Sequence, residues 1–360
     1  MRILVINPGS TSTKIAVFED EEKVFQENIS HPAGYLKKYP AIQDQLPFRK
    51  EIIIEVLEKK GFSLESFHVF AGRGGGLIPC AGGVYKIEKL LLEHAHRWTK
   101  HPSVLGALLA NEFAQINKVP AFIVDPPDVD ELQDVARISG MKEFPRESRF
   151  HALNQKEAAR RGAKSMGKSY EAVNLVVAHI GGGISVGAHH KGKVIDVTDI
   201  INGDAPMAPT RAGQIAAQAW IEMCFSGNYT KKEMQNFISK NGGVINHLGT
   251  SDMLEVERCI EAGDTYAKLV YDAMIYQIGK NIGGYAAVLH GKVDAVVITG
   301  GMVRSPYLQN TLKSMIYYIA PVIMYPGEFE MEALAGGALR VMRKEEEPLS
   351  YTGEPVHKGF

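Results

Sequence analysis

Residues 4–24, LVINPGSTSTKIAVFEDEEKV, and residues 175–197, LVVAHIGGGISVGAHHKGKVIDV, are built to one plan. Each runs as an apolar strand, a turn rich in small residues, a second apolar strand, a charged turn and more strand. Alike units at an offset of about 170 residues predict two domains of like fold. Each domain would present a small-residue turn between two strands, and two such turns across a cleft would hold a polyphosphate between them. The same residues also suit two unrelated hairpins that need glycine for positive φ.

A chain of 360 residues is long for one core, and two domains is the natural expectation. Apolar periodicity predicts strands over residues 2–6, 14–18, 67–70, 121–124, 174–178, 185–188, 194–196 and 295–298. Helices are predicted over 48–60, 104–116, 152–161, 214–222, 266–289 and 332–343. The alternation is that of an α/β protein. The first domain is expected over 1–147, with a closing helix about 332–360 returning to it, and the second over 148–331. The Met- and Tyr-containing stretch 266–285 reads as core rather than interface. The polar tail after Lys344 reads as loosely held.

Composition narrows the partners. Apolar residues are 45% and charged residues 22%, with a net charge of −1, so no broad basic field invites nucleic acid or an anionic membrane. Cys80, Cys224 and Cys259 are distant, odd in number and not in a CxxC pair, which argues against a disulfide framework and suits a reducing cytosol. The run ILVI after Arg2 is too short for a signal-peptide core, and no apolar stretch approaches membrane length. A cytoplasmic location is expected.

One motif misleads. GAKSMGKS, Gly162 to Ser169, satisfies G-x-x-x-x-G-K-S, but a P-loop needs a strand before it and a helix after it. Here a helical segment precedes and a strand follows, so it reads as a surface connection. The segment NPGSTSTK, Asn7 to Lys14, instead ends a buried-type strand. Pro8 and Gly9 turn the chain, Ser10 to Thr13 offer hydroxyls and N–H groups to phosphate oxygens, and Asn7 points toward a hydrated Mg²⁺. AHIGGGISVG sets three glycines between two strands, where a phosphate can approach bare backbone. In ITGGMVRSP a strand runs into Thr-Gly-Gly and then a helix, which leaves room for a nucleotide at the strand end. His94 and His96 do not share a helix face, and His189 and His190 point to opposite sides of a strand, so neither pair reads as a metal site.

In this order NPGSTSTK, GRGG, FHALNQ, AHIGGG, PTRAGQ and TGGM cover almost the whole chain, and the set resembles the acetate/butyrate kinase family. Within that family VFAGRGGGLIPC and GGGISVGAH most resemble the butyrate kinases. FHALNQ in place of FHGTSH, and the missing His-Gly-Gly-Glu after Arg73, argue against an acetate kinase. The resemblance implies two duplicated ribonuclease H-like, actin-like ATPase domains with ATP in an interdomain cleft, Mg²⁺ as cofactor and a homodimer or larger homo-oligomer. It implies catalytic roles for Arg73, Asp125, His151 and Arg211, and acid-binding roles for Arg73, His101 and Arg211. It implies phosphate or nucleotide contacts at Asn7, Gly9, Ser10, Ser12, Lys14, His179, Gly181, Gly182, Gly183, Gly300, Gly301 and Met302. The metal side would be Asn7 with Glu330 or Glu332.

The implied chemistry suits these residue types. An aliphatic acid has a pKa of about 4–5 and is already the anion at pH 7, so it needs no general base. It needs cations that let two anions meet, and a guanidinium offers a permanently charged fork for carboxylate or phosphoryl oxygens. The expected reaction is reversible transfer of a phosphoryl group from ATP to butyrate. Acetate, propionate or a branched acid is the alternative, because one methylene is worth only about 1–3 kcal/mol of discrimination. A sugar or alcohol kinase on the same fold would need a carboxylate base. A non-catalytic ATP-binding regulator ranks last, since no DNA-binding segment is present and both arginines are.

Overall fold

A computed structural model of the chain describes residues 1–98 and 101–360. It divides into two compact units, one of residues 1–130 with 329–360 and one of residues 131–328.

The first unit is built on a six-stranded sheet, ordered β3-β2-β1-β4-β6-β5. Its strands are β1 (Arg2–Pro8), β2 (Ser12–Glu19), β3 (Glu22–Ser30), β4 (Val69–Gly72), β5 (Val84–Lys86) and β6 (Ala121–Val124). β1, β2 and β3 form an antiparallel meander, while β4 and then β6 extend the sheet in parallel. β1 is apolar on both faces, as a strand covered from both sides must be. Helices Leu46–Lys59, Leu105–Asn117 and the closing helix Glu330–Met342 supply the cover. Leu4, Ile6, Ile15, Val17, Ile53, Phe70, Leu109 and Phe113 meet in its core.

The second unit repeats the plan with β7 (Asn174–Ile180), β8 (Ile184–His190), β9 (Lys193–Val197), β10 (Ala295–Gly300) and β11 (Val322–Pro326). Its order is β11-β10-β7-β8-β9, again an antiparallel meander continued by two parallel strands. Even the irregularities match: the second meander hairpin shifts register between Val17 and Phe18 in one unit and between Ala188 and His189 in the other. The echo in the sequence is a duplicated sheet, not a pair of unrelated hairpins. The 24-residue helix Thr265–Val288 buries Tyr271, Met274, Ile275, Ile278, Ile282 and Tyr285 in this unit's core.

Several expectations shift. The strand expected at 67–70 begins at Val69, because Phe67 instead buries its ring at the end of a short turn. The helix expected at 214–222 runs from Ala217 to Phe225, and none of its residues is buried. β3 and β11 are edge strands with mostly exposed or half-buried residues, which hid the periodicity of β11. GAKSMGKS falls where the helix Ala152–Ser165 ends ahead of β7, so it lacks the strand–loop–helix order of a P-loop. The tail is not loose. Leu349 exchanges backbone hydrogen bonds with Val84 and Lys86, and the buried Tyr351 hydroxyl accepts from the Ile78 N–H. Among the described residues no helix is long and apolar enough to cross a membrane.

Close backbone contact fixes the mouth of the first unit. A Cβ on Gly72, the last residue of β4, would lie 2.1 Å from the Gly106 carbonyl oxygen, and one on Gly106 would lie 2.5 Å from that of Arg73. Helix Leu105–Asn117 therefore rests directly on the strand end that carries Arg73. Gly72→Ala is expected to lower stability by about 1–3 kcal/mol, as an overpacked core does. It should be seen as a lower urea midpoint than that of wild type.

Candidate active site

In the first unit the turn after β1 is closed by Gly9 N–H donating to the Ser12 carbonyl at 2.8 Å. Behind it lies Arg49, fully buried on helix Leu46–Lys59. Its guanidinium donates to the carbonyls of Gly9 (2.9 Å) and Ser12 (3.0 Å), to Thr13 Oγ1 (2.8 Å) and to Gln45 Oε1 (2.9 Å). Burial lowers its pKa to about 10, which leaves it charged at neutral pH. Sequence reasoning missed Arg49, and its one signal was an arginine among the apolar residues of an amphipathic helix. Thr13, read from the sequence as a ligand hydroxyl, is buried and bonded to Arg49 and His31, whereas Ser10 and Thr11 are exposed. Lys14 pairs with Asn7 across β1 and β2, so the two side chains share a sheet face.

Asn7 Nδ2 donates to Glu330 Oε2 at 2.7 Å, and Arg73 Nη1 donates to the other oxygen of the same carboxylate. Glu330 opens the closing helix, and the structure thus joins Asn7, Arg73 and Glu330. Glu332 instead pairs with Lys23 at 2.8 Å. Arg73 Nε is buried and has no hydrogen-bond partner. His101 Nδ1 accepts from Ser103 N–H, which leaves Nε2 as the proton-bearing atom of the neutral ring. Although His101 is exposed as a residue, partial desolvation of its ring, then the charges of Arg73 and Arg49, lower its pKa. Asp125, at the end of β6, is fully buried in a left-handed conformation (φ 36°) and accepts from Gly83 N–H at 2.8 Å. Its placement ties the strand end to Gly83.

In the second unit the glycines between β7 and β8 lie under Arg211. A Cβ on Gly183 would fall 2.4 Å from Arg211 Nη1, so the guanidinium lies across bare backbone. That Nη1 is buried and has no hydrogen-bond partner. Burial lowers the Arg211 pKa and Asp199 opposes the shift. The arginine's loop is closed by Ala208 N–H donating to the Arg211 carbonyl, and Thr210 Oγ1 donates to the Gly182 carbonyl. His151 and His179 stack with centroids 3.9 Å apart and planes at 21°. His151 sits at the start of helix Ala152–Ser165 but does not cap it with its side chain, which meets Ser185 Oγ instead. His179 Nε2 lies 4.0 Å from Glu328 Oε1. Of the paired histidines on β8, His189 is fully buried and His190 is exposed, on opposite faces.

A cavity of about 570 Å³ adjoins this set. Its lining includes Gly181, Gly182, Thr210, Gly301, Met302 and Glu328. Gly300 turns the chain into it at φ 112°, where a Cβ would lie 2.2 Å from the Ile180 carbonyl oxygen. The cavity has the size and mixed lining of a small-molecule site. A larger cavity of about 680 Å³ in the first unit shares no residue with either set of polar groups.

The buried His31 beside this machinery sets a pH dependence. Burial, then the charge of Arg49, lowers its pKa to about 4 from 6.5. The folded state favours the neutral ring, so this stability is complete above the unfolded pKa of 6.5 and is lost as pH falls toward about 4. The urea midpoint should drop across that window, and His31→Gln should flatten the drop.

Comparison with known proteins follows the same lines. The sequence model of the acetokinase family matches residues 140–308. Among solved structures, the acetate kinase of Porphyromonas gingivalis superposes with a TM-score of 0.75 at 19% identity, covering 95% of this chain and 99% of that one. A propionate kinase from Francisella tularensis subsp. tularensis SCHU S4 gives 0.72 at 17% identity, with 93% and 98% covered. The acetate kinase of Entamoeba histolytica gives 0.72 at 18% identity, with 94% and 98% covered. Residues 140–308 thus match the acetokinase family, and the chain has over nearly all its length the α/β fold of the acetate and propionate kinases.

Proposed function

We propose that this protein is a kinase of short-chain carboxylic acids that uses ATP, with butyrate as its substrate. The observation that carries this reading is the pair of guanidiniums, Arg73 and Arg211, each with a buried N–H that has no hydrogen-bond partner. A buried donor without a partner costs about 1–3 kcal/mol, and an anion offsets that cost at both positions. The acetokinase match over residues 140–308 supports the same reaction class. The departures from the acetate-kinase motifs support butyrate, and acetate or propionate is the alternative.

On this reading each unit contributes groups to the phosphoryl transfer. Arg73 binds the carboxylate of the acid, which arrives ionised, with His101 beside it. Arg211 spans the transferring phosphoryl and the carboxylate and draws off charge as the two anions meet. His151 donates a hydrogen bond to the phosphoryl oxygens in flight. The glycines at 181–183 and 300–301, with Met302, let the nucleotide lie against backbone, and Ser10, Ser12 and Lys14 face its outer phosphates. Asn7 and Glu330 fit Mg²⁺, because an amide oxygen and a neighbouring carboxylate are hard oxygen donors. Glu330 already holds Asn7 and Arg73, so it would order the metal's waters, and Glu332 would stand outside that shell. Bound with the nucleotide, Mg²⁺ would neutralise charge on the outer phosphates. An alcohol kinase would require a free carboxylate base, whereas Asp125 is buried and accepts from Gly83 N–H. On this reading Asp125 moves no proton and would help to order the water shell of the bound metal.

A hydroxylamine trap with ATP, Mg²⁺ and a series of acids tests the reading. Butyrate should give the acyl hydroxamate at the highest kcat/KM. Arg211→Ala should lower kcat by on the order of 10²–10³-fold, the loss expected of one preorganised charge-stabilising donor. Gly183→Ala should reproduce much of that loss by displacing the guanidinium. No hydroxamate from any acid, with ADP formed only when a sugar is added, sinks the proposal.

A further inference from the structure

Helix Ala152–Ser165 packs against β7 and β10, and its consecutive amides Asn154 and Gln155 are buried beneath the stacked histidines. The polarity of their hydrogen bonds can be followed atom by atom. Gln155 Nε2 lies 3.1 Å from the Ser185 carbonyl oxygen, which can only accept, so the amide nitrogen faces Ser185. The same nitrogen donates to Ser185 Oγ at 2.7 Å. Ser185 is fully buried, and the acceptor left for its hydroxyl proton is His151 Nδ1 at 2.8 Å. His151 therefore carries its ring proton on Nε2.

The other end of Gln155 is fixed from behind. Its Oε1 meets His189 Nε2 at 3.0 Å and must accept, so His189 also bears its proton on Nε2. His189 Nδ1 then accepts from the Tyr170 hydroxyl at 2.7 Å. His189 is fully buried, and burial, then the charges of Lys156 and Arg160, hold its pKa well below 6.5, which keeps the ring neutral as this pattern needs. Gly187 leaves room for the amide, since a Cβ there would lie 3.0 Å from Gln155 Oε1. The neighbouring amide repeats the device. Thr299 Oγ1 donates to the Gly327 carbonyl and so accepts from Asn154 Nδ2. The same nitrogen donates to His179 Nδ1 at 2.6 Å, which puts that ring's proton on Nε2.

We infer that Asn154 and Gln155 are positioning residues that lock His179 and His151, each through its Nδ1, in the Nε2–H tautomer. Gln155 acts through Ser185 and is itself set by His189 and Tyr170. On the acid-kinase reading, on which this inference rests, Nε2–H is then the atom through which either ring would donate to a phosphoryl oxygen. A helix that supplied only packing would need neither amide.

The test is the tautomer of each ring, read by long-range ¹H–¹⁵N correlation on full-length protein labelled at its 12 histidines, with assignments from single His→Gln variants. His151, His179 and His189 should each show a bare Nδ1 and a protonated Nε2 at pH 7.5. Gln155→Met should convert His151 to a mixture of tautomers and leave His179 unchanged, and Asn154→Leu should do the reverse. Should Gln155→Met fail to fold, Ser185→Ala removes the same link at smaller cost in volume. In the trap assay Gln155→Met should lower kcat by about 10–100-fold, as loss of a partner that orients a functional histidine does, with KM for the acid little changed. An Nδ1–H or cationic His151 in the wild type overturns the inference, as does a His151 signal unmoved by either Gln155→Met or Ser185→Ala. The spectra stand apart from turnover. The predicted tautomers in a protein that makes no acyl phosphate uphold the lock and remove the acid-kinase reading.

Discussion

Parallel strands that end at a ligand site must bring backbone close to backbone, and both units of this protein depend on that approach. In the first, β4 ends at Gly72 against Gly106, and Arg73 leaves the sheet at that point. In the second, β10 ends at Gly300 against the Ile180 carbonyl, and the cavity opens there. A side chain at either glycine would meet a backbone oxygen at little over 2 Å and force the neighbouring element away. The positions of Arg73, Gly301 and Met302 are consequences of that contact, more than of any interaction of their own.

The stronger polar groups divide into those fully engaged within the fold and those that keep a buried N–H without a partner. Arg49 has all three of its guanidinium nitrogens engaged. Arg73 and Arg211 are held by less, one by a single carboxylate and the other across bare glycine backbone. The same division runs through the threonines of the first turn, where Thr13 is engaged and Thr11 is exposed. Residue type alone does not separate these cases. What separates them is whether a second element passes behind the side chain.

That is also where the sequence stops being informative. The duplicated meander was legible because apolar runs and glycine turns are local signals, repeated at one spacing. β11 was not, since an edge strand that buries few residues shows little periodicity. Of the residues the resemblance singles out, the structure joins Asn7 and Arg73 on Glu330, stacks His151 on His179 and lays Arg211 over Gly183. The resemblance left the choice between Glu330 and Glu332 open, because that depends on which carboxylate the helix start turns toward Asn7. Asp125 in a left-handed conformation, and the chain from His151 through Ser185 and Gln155 to His189, involve partners some 30 residues apart or more. No local pattern encodes such pairs.

The Arg49 guanidinium also governs how the first turn can move. It is fully buried, and its acceptors are neutral oxygens, three of them on the Gly9–Thr13 segment. Opening that segment alone would strand a charge with most of its acceptors gone, at a cost well above that of ordinary loop fraying. The turn is thereby coupled to helix Leu46–Lys59, and the two belong to one cooperative unfolding unit. Within a glycine- and serine-rich turn, which composition alone would mark as among the most mobile parts of the molecule, the Gly9 amide, bonded to the Ser12 carbonyl, is thus expected to exchange its proton as slowly as the helix behind it.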